Sequence, residues 1–168
     1  MKAYMGKKIL ICFDPLDLHL GIFEQKSGVH CSFEDFQTFT HFVLGHHTST
    51  SLLPSIMAQG LLPHYDKGRA IKDNLDSEPE CVYLSTELDK VYFRRSTKQY
   101  GGKGLVILVE AGRESLELDE NALSRNQRRM WPKERHLFES MLSGSCRHKG
   151  PIYPDQFRGM YADDGTAL

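Results

Sequence analysis

Apolar residues along the chain come in short bursts, set between charged or hydroxyl-rich stretches, and the bursts follow two different periods. Residues 8–13 (KILICF), 42–45 (FVLG), 81–85 (CVYLS) and 104–111 (GLVILVEA) are compact apolar runs of strand length, rich in β-branched and aromatic residues. The last is apolar enough for a central strand. Residues 53–60 change period. Leu53, Ile56 and Met57 mark one helical face, Thr50 or Ser51 can cap it, and Pro54 is tolerated in the first turn. Gly60 stands where a left-handed C-terminal residue belongs. Residues 86–102 predict a second helix, capped by Thr86, with Leu88, Val91 and Tyr92 facing inward and Gly101–Gly102 stopping it.

The intervening stretches are less regular. Residues 32–39 (SFEDFQTF) read as a short helix or a covering loop. Residues 64–80 are polar and contain Pro and Gly, which predicts an exposed loop. Residues 113–131 are charged and irregular, with Trp131 as a core anchor, and residues 133–143 suit a helix. Residues 145–157 read as a strand end running into a Pro-bounded turn, and 161–168 as a frayed tail. The order of elements predicts an α+β fold, a small split sheet carrying short helices. A length of 168 residues suits one domain spanning 1–168.

Composition removes several classes of function. A formal net charge of -1 provides no global basic field. Mean hydropathy is -0.43, and no apolar run approaches the roughly 18 residues of a membrane span. The first apolar run is also too short for a secretory leader, so a cytoplasmic protein is expected, with no membrane partner. Cys12, Cys31, Cys81 and Cys146 show no CxxC spacing. Cys12 and Cys81 lie in strand-like runs and read as buried, reduced thiols. His41, His46, His47 and His64 crowd one region without HExxH or zinc-finger spacing, so no metal is expected.

What needs a reason is the order "FVLGHHTSTSLLPSIMAQGLLP": an apolar run, two histidines, hydroxyl residues, a helix, then Gly-Leu. This stretch resembles the opening motif of the ADP-ribosyltransferase superfamily, in which a His-Gly-Thr/Ser at a strand end precedes a helix ending in Gly-Leu. "CVYLSTELDKVYFRRSTKQYG…GLVILVEA" is similar to that family's second segment, and "HKGPIYPDQF" to its closing strand and Gly-x-Ile-x-Pro. The resemblance covers roughly residues 40–158 in order, and leaves 1–40 outside as an extension and 159–168 as a tail.

The resemblance implies an ADP-ribosyltransferase-like split β-sandwich with NAD, as substrate, in the cleft between the sheets. His46 takes the place of the histidine that binds ribose hydroxyls. His47 stands where the family has a glycine whose backbone holds the nicotinamide amide. Thr48 and Ser49 match the hydroxyl positions. Tyr83 matches the ring that stacks on nicotinamide, Ser85 the small residue near the amide, and Tyr92 could form the other wall. The family's acid has no match, because its region reads Ser145-Cys146-Arg147-His148. Glu139 is the nearest candidate and Glu120 the second. The implied activity is mono-ADP-ribosyl transfer to a macromolecular acceptor, protein or nucleic acid. An RNA 2′-phosphotransferase and a degenerate NAD- or ADP-ribose-binding module are the alternatives.

The chemistry asks for such residues on its own terms. Breaking the nicotinamide–ribose bond leaves an oxocarbenium-like sugar. A site must grip the leaving ring, fix the ribose hydroxyls and set negative charge near the developing cation. The basic run "RNQRRM" reads first as a solvated face, and otherwise as a hold for NAD phosphates or a nucleic-acid acceptor.

Overall fold

A computed structural model describes residues 8–13, 28–63, 80–88 and 90–168. The elements in chain order are β1 (Ile9–Ile11), α1 (Phe33–Gln37), β2 (His41–Ser49), α2 (Leu53–Gln59), β3 (Cys81–Ser85) and α3 (Lys90–Tyr100). Then follow β4 (Gly104–Gly112), β5 (Leu116–Leu118), α4 (Arg125–Met130), α5 (His136–Leu142), β6 (Ser145–Lys149) and β7 (Phe157–Ala162). The fold is α+β. Seven strands form one sheet in the order β5-β6-β3-β2-β4-β7, with β1 added beside β2. All pairings are antiparallel except β1 with β2.

β4 lies between β2 and β7, one strand in from the sheet edge. Its residues Leu105 to Val109 are all buried, so both of its faces are covered. α3 lies against β2 and β4, and α5 against β5 and β6. Phe36 of α1 meets Phe42 at 5.1 Å and Phe138 of α5 at 5.0 Å between ring centroids. The segment before residue 40 is therefore part of the core: β1 extends the sheet and α1 supplies an aromatic wedge. Ser32 caps α1 by accepting the Asp35 N–H at 3.1 Å.

Several expectations need correction. β2 does not end at Gly45; it runs on through His46 and His47 to Ser49, because β4 offers a full ladder from His41↔Gly112 to Ser49↔Gly104. On α3 the inward residue is Phe93, while Val91 and Tyr92 are 45% and 40% exposed. Phe93 fits because Gly104 lacks a side chain; a Cβ there would lie 2.7 Å from it. That choice leaves Val91 exposed and Tyr92 at the edge of the contact, half-exposed against the His47 ring. The described part of α3 begins at Lys90, and the Thr86 hydroxyl donates to Met141 O at 2.7 Å. Met57 faces solvent while Ile56 is buried. The 113–131 stretch contains β5 and α4, and Trp131 is exposed at the end of α4 rather than anchored in the core. The tail is not frayed: β7 pairs with β4, and Leu168 N–H donates to Met160 O at 3.0 Å. Of the 64–80 loop, only Glu80 lies within the described residues.

Gly60 ends α2 at φ 84°, with its N–H donating to Ile56 O. A Cβ at Gly60 would stand 2.5 Å from Ile152 O, so the close approach of the 152 strand excludes any side chain there. Among the described residues, no helix is long and apolar enough to cross a membrane.

Candidate functional site

The sheet has a weak joint. β2 and β3 share one register pair, Gly45↔Ser85, whereas β2 and β4 share nine and β3 and β6 share five. The β1 ladder takes the same edge of β2 further back, at residues 41–43. At the joint, Gly45 is forced by an aromatic ring: a Cβ would sit 2.6 Å from Phe13.

The next residue, His46, bridges the two halves. Its Nδ1 lies 3.0 Å from the backbone oxygen of Tyr83. A carbonyl oxygen only accepts, so Nδ1 is the donor in this contact. The imidazole thus stands in for a ladder hydrogen bond where the strands diverge, and Tyr83 is held beside it. His46 and Tyr83, placed 37 residues apart in the chain, are brought together here.

His47 points the other way, onto α3. Its ring is 5.2 Å from Tyr92 and 4.9 Å, edge-on, from Phe93. Its backbone pairs with Val106. The residue keeps a little exposed surface, but Nε2 is buried with no hydrogen-bond partner. Burial, reinforced by the neighbouring His46, pushes the imidazole down from 6.5 to about 3. It is a neutral, apolar-behaving ring that fixes Tyr92 on the outside of α3. An ordinary strand conformation at this position needs no glycine.

The hydroxyl candidates divide. Thr48 is buried at the Leu105 pair. Ser49 is fully buried; its hydroxyl donates to Gly101 O and accepts from Ser51 N–H, tying β2 to the end of α3. Ser85 accepts from Glu87 N–H at 3.1 Å and lies 2.6 Å from Glu87 O, closing the turn after β3. Ser49 and Ser85 are committed to backbone.

The acids also divide, and register decides between them. Tyr83 pairs with Arg147 of β6, and Arg147 pairs with Glu117 of β5, so the three side chains share one face. Arg147 grips Glu117 through Nη2 at 2.8 Å and Nε at 3.1 Å, and forms an ion pair through Nη1 with Glu120. Lys149 forms a further ion pair with Glu117. Burial works to lower the Arg147 guanidinium, but Glu120 and Glu117 hold it charged. Hydrogen bonds from Lys149 and then Arg147 hold Glu117 below the usual carboxylate range. The second Glu120 oxygen, Oε2, is buried and accepts no hydrogen bond. Glu139 instead lies on α5 in a 2.8 Å ion pair with Arg135, whose guanidinium stacks on Trp131 and Phe33.

Glu120 is therefore linked to Tyr83 through Arg147, while Glu139 belongs to a separate aromatic–arginine cluster. Arg147 and Glu117 escaped the sequence reading, which searched the closing strand for an acid. The signal was the alternation Arg147-x-Lys149 facing Glu117 and Glu120. No group of His, Cys, Asp or Glu able to hold a metal ion occurs among the described residues. No known protein-family model matches the chain, and no curated protein sequence matches it.

Proposed function

We propose that the chain is an NAD-dependent mono-ADP-ribosyltransferase built on an ADP-ribosyltransferase-like split β-sandwich. It transfers ADP-ribose from NAD to a macromolecular acceptor and releases nicotinamide. The observation that carries this reading is the 3.0 Å contact of His46 Nδ1 with the Tyr83 backbone at the joint of the sheet. The imidazole of one expected site residue meets the backbone of another, far from it in sequence, where the strands part.

The residues suit the donor. His46, with Nδ1 protonated, offers Nε2 to a ribose hydroxyl. Tyr83 supplies a ring for the nicotinamide, and Tyr92, 40% exposed beside His47, stands on the helix that follows. In transfer, the N-glycosidic bond breaks, its electron pair leaves with nicotinamide, and the acceptor nucleophile bonds to the sugar carbon. Glu120 takes the proton that the acceptor loses, and its charge faces the developing cation. Of the two acids, Glu120 is preferred to Glu139, because Arg147 ties it to the Tyr83 face.

A second reading has one observation in its favour. The closing strand carries a cation, Arg147, opposite Tyr83, where the family resemblance implies an acid. A module that binds NAD or ADP-ribose without turnover would tolerate it. Incubation with NAD labelled in the adenylate, followed by chromatography for nicotinamide and by protease or nuclease treatment of lysate acceptors, separates the readings. Transfer predicts nicotinamide release and labelled acceptor, both lost in Tyr83→Ala and cut at least tenfold in Glu120→Gln. A thermal shift with NAD but no nicotinamide supports the binding module. Full activity in both variants refutes the site.

A further inference from the structure

The positive charge of this protein is not spread evenly. Residues 121–136 carry Arg125, Arg128, Arg129, Lys133 and Arg135 against one acid, Glu134, a local charge of +4 in a chain of net charge -1. The rest of the molecule therefore carries 16 cations and 21 acids, or -5. Arg125, Arg128 and Arg129 lie on α4 at spacings of three and four residues, which puts them on one helical face. Arg125 and Arg129 are exposed and Arg128 partly so, and none of the three forms an ion pair among the described residues. Met130 is 73% exposed at the end of this helix and Trp131 37%, and the Arg135 guanidinium covers one side of the indole at 4.6 Å.

Uncompensated arginines cost a folded protein self-repulsion, so a row of them on an exposed face is not explained by stability. Arg128 and Arg129 stand in the last turn, where a cation suits the helix dipole, but Arg125 stands in the first turn, where it does not. The helix has both ends held by other residues. Its N-terminus is closed by Ser124, which accepts the Gln127 N–H, and by Gln127, which accepts the Ser124 N–H at 3.0 Å. Its C-terminal end is tied down by His136, whose Nε2 lies 3.0 Å from both Arg128 O and Trp131 O. The result is a short, capped helix that presents three cations beside apolar aromatic surface.

We propose that α4 and Trp131 form the docking surface for a single-stranded nucleic acid, which is the acceptor. This inference rests on the transferase reading for the word acceptor, and on charge complementarity for the surface. Three arginines on one face match a run of phosphates, and an exposed indole and thioether beside them offer a base a place to stack. An acidic peptide would use the arginines but leave the aromatic surface idle. The surface is also close to the candidate acid. Arg125 stands five positions after Glu120, a reach of at most about 18 Å. A strand laid on α4 can thus place a nucleotide at the Tyr83 face without leaving the helix.

The test is equilibrium binding of the full chain to short fluorescent single-stranded DNA and RNA of mixed sequence, read by anisotropy without NAD. An acidic peptide of equal charge serves as the comparison. The expected result is oligonucleotide binding that weakens with salt, and at least a tenfold loss of affinity in the triple variant Arg125→Gln, Arg128→Gln, Arg129→Gln. Three lost phosphate contacts also reduce the log–log salt slope by about 2. Trp131→Ala weakens binding without changing that slope. Unchanged circular dichroism shows that the exposed substitutions leave the fold in place. Equal binding by wild type and triple variant overturns the proposal, as does tighter binding of the acidic peptide. Oligonucleotide binding with NAD-derived label found only in protein overturns the acceptor assignment. Because the binding assay contains no NAD, its failure leaves the transferase reading standing, and failure of NAD turnover leaves the surface standing.

Discussion

The buried His47 makes the protein acid-labile in a way that one substitution removes. The imidazole is displaced from 6.5 to about 3 because Nε2 is buried without a partner. The unfolded chain therefore binds a proton near neutrality that the folded chain refuses. The stability tied to the neutral ring is fully present above the unfolded value and declines as pH falls from there toward the folded value. At about pH 5 the proton-binding ratio of the two states corresponds to about 2 kcal/mol. Solvent contact at the ring edge trims this to between about 1 and 2 kcal/mol. His47→Phe keeps an aromatic ring against Tyr92 and Phe93 and removes the titration. Urea unfolding of both proteins at about pH 7.5 and about pH 5 gives the difference of differences, free of carboxylates common to both. The wild type is expected to lose between about 1 and 2 kcal/mol more than the variant on acidification. Equal losses, within about 0.5 kcal/mol, refute the reasoning, because the ring would then be accepting a proton in the folded state.

Other outcomes follow from the same contacts. His46→Asn retains a donor for Tyr83 O where Nδ1 stood but lacks Nε2, so it should keep the fold and lose nicotinamide release. His46→Ala should lose both, with about 1 kcal/mol of stability by urea unfolding. Ser140 is fully buried; its hydroxyl accepts Asp119 N–H at 2.8 Å and donates to Ser145 O at 2.8 Å, so Ser140→Ala should cost about 1 to 3 kcal/mol. Burial pushes the Cys12 and Cys146 thiols well up, while Cys31 stays partly exposed and is raised less. A maleimide should label Cys31 first and the other two only on unfolding, as read by mass spectrometry.

Strand identity was legible wherever a run was apolar on both faces. The 104–111 run became β4, and CVYLS became β3 with the bounds unchanged, Cys81–Ser85. Helix faces were less so. Ile56 was read correctly beside a wrong Met57, and Phe93 was passed over for Val91 and Tyr92. The helical period fixes relative positions along α3 but not which arc meets the sheet. That arc is chosen by Gly104, which lies outside the helix and leaves room for Phe93. β2 ran past its predicted end because GHHTS carries few strand formers, yet β4 offers it nine partners, and pairing outweighs propensity. β7 was not assigned from the sequence, and the tail was misread, for the same reason. Their order comes from the β4 edge, a long-range contact that no local pattern encodes.

The same distinction explains which parts of the site could be read. His46 follows a glycine and Tyr83 precedes a helix, both local features of the chain, so their types and order were visible. The charged part is written across three strands. Arg147 has meaning only once β6 is known to pair with β3 on one side and β5 on the other. Taken alone, a guanidinium opposite Tyr83 would oppose a developing sugar cation. In register it is matched: Arg147 and Lys149 supply two positive charges, and Glu117 and Glu120 two negative. The set is neutral as a whole but not uniform, since Glu117 is shared by both cations while Glu120 touches Arg147 through one oxygen and leaves Oε2 unsatisfied. The negative end of the set is therefore Glu120. In the proposed transferase reading, an arginine in the place of an acid does not remove the acid from the site; it holds one that arrives from the neighbouring strand's end.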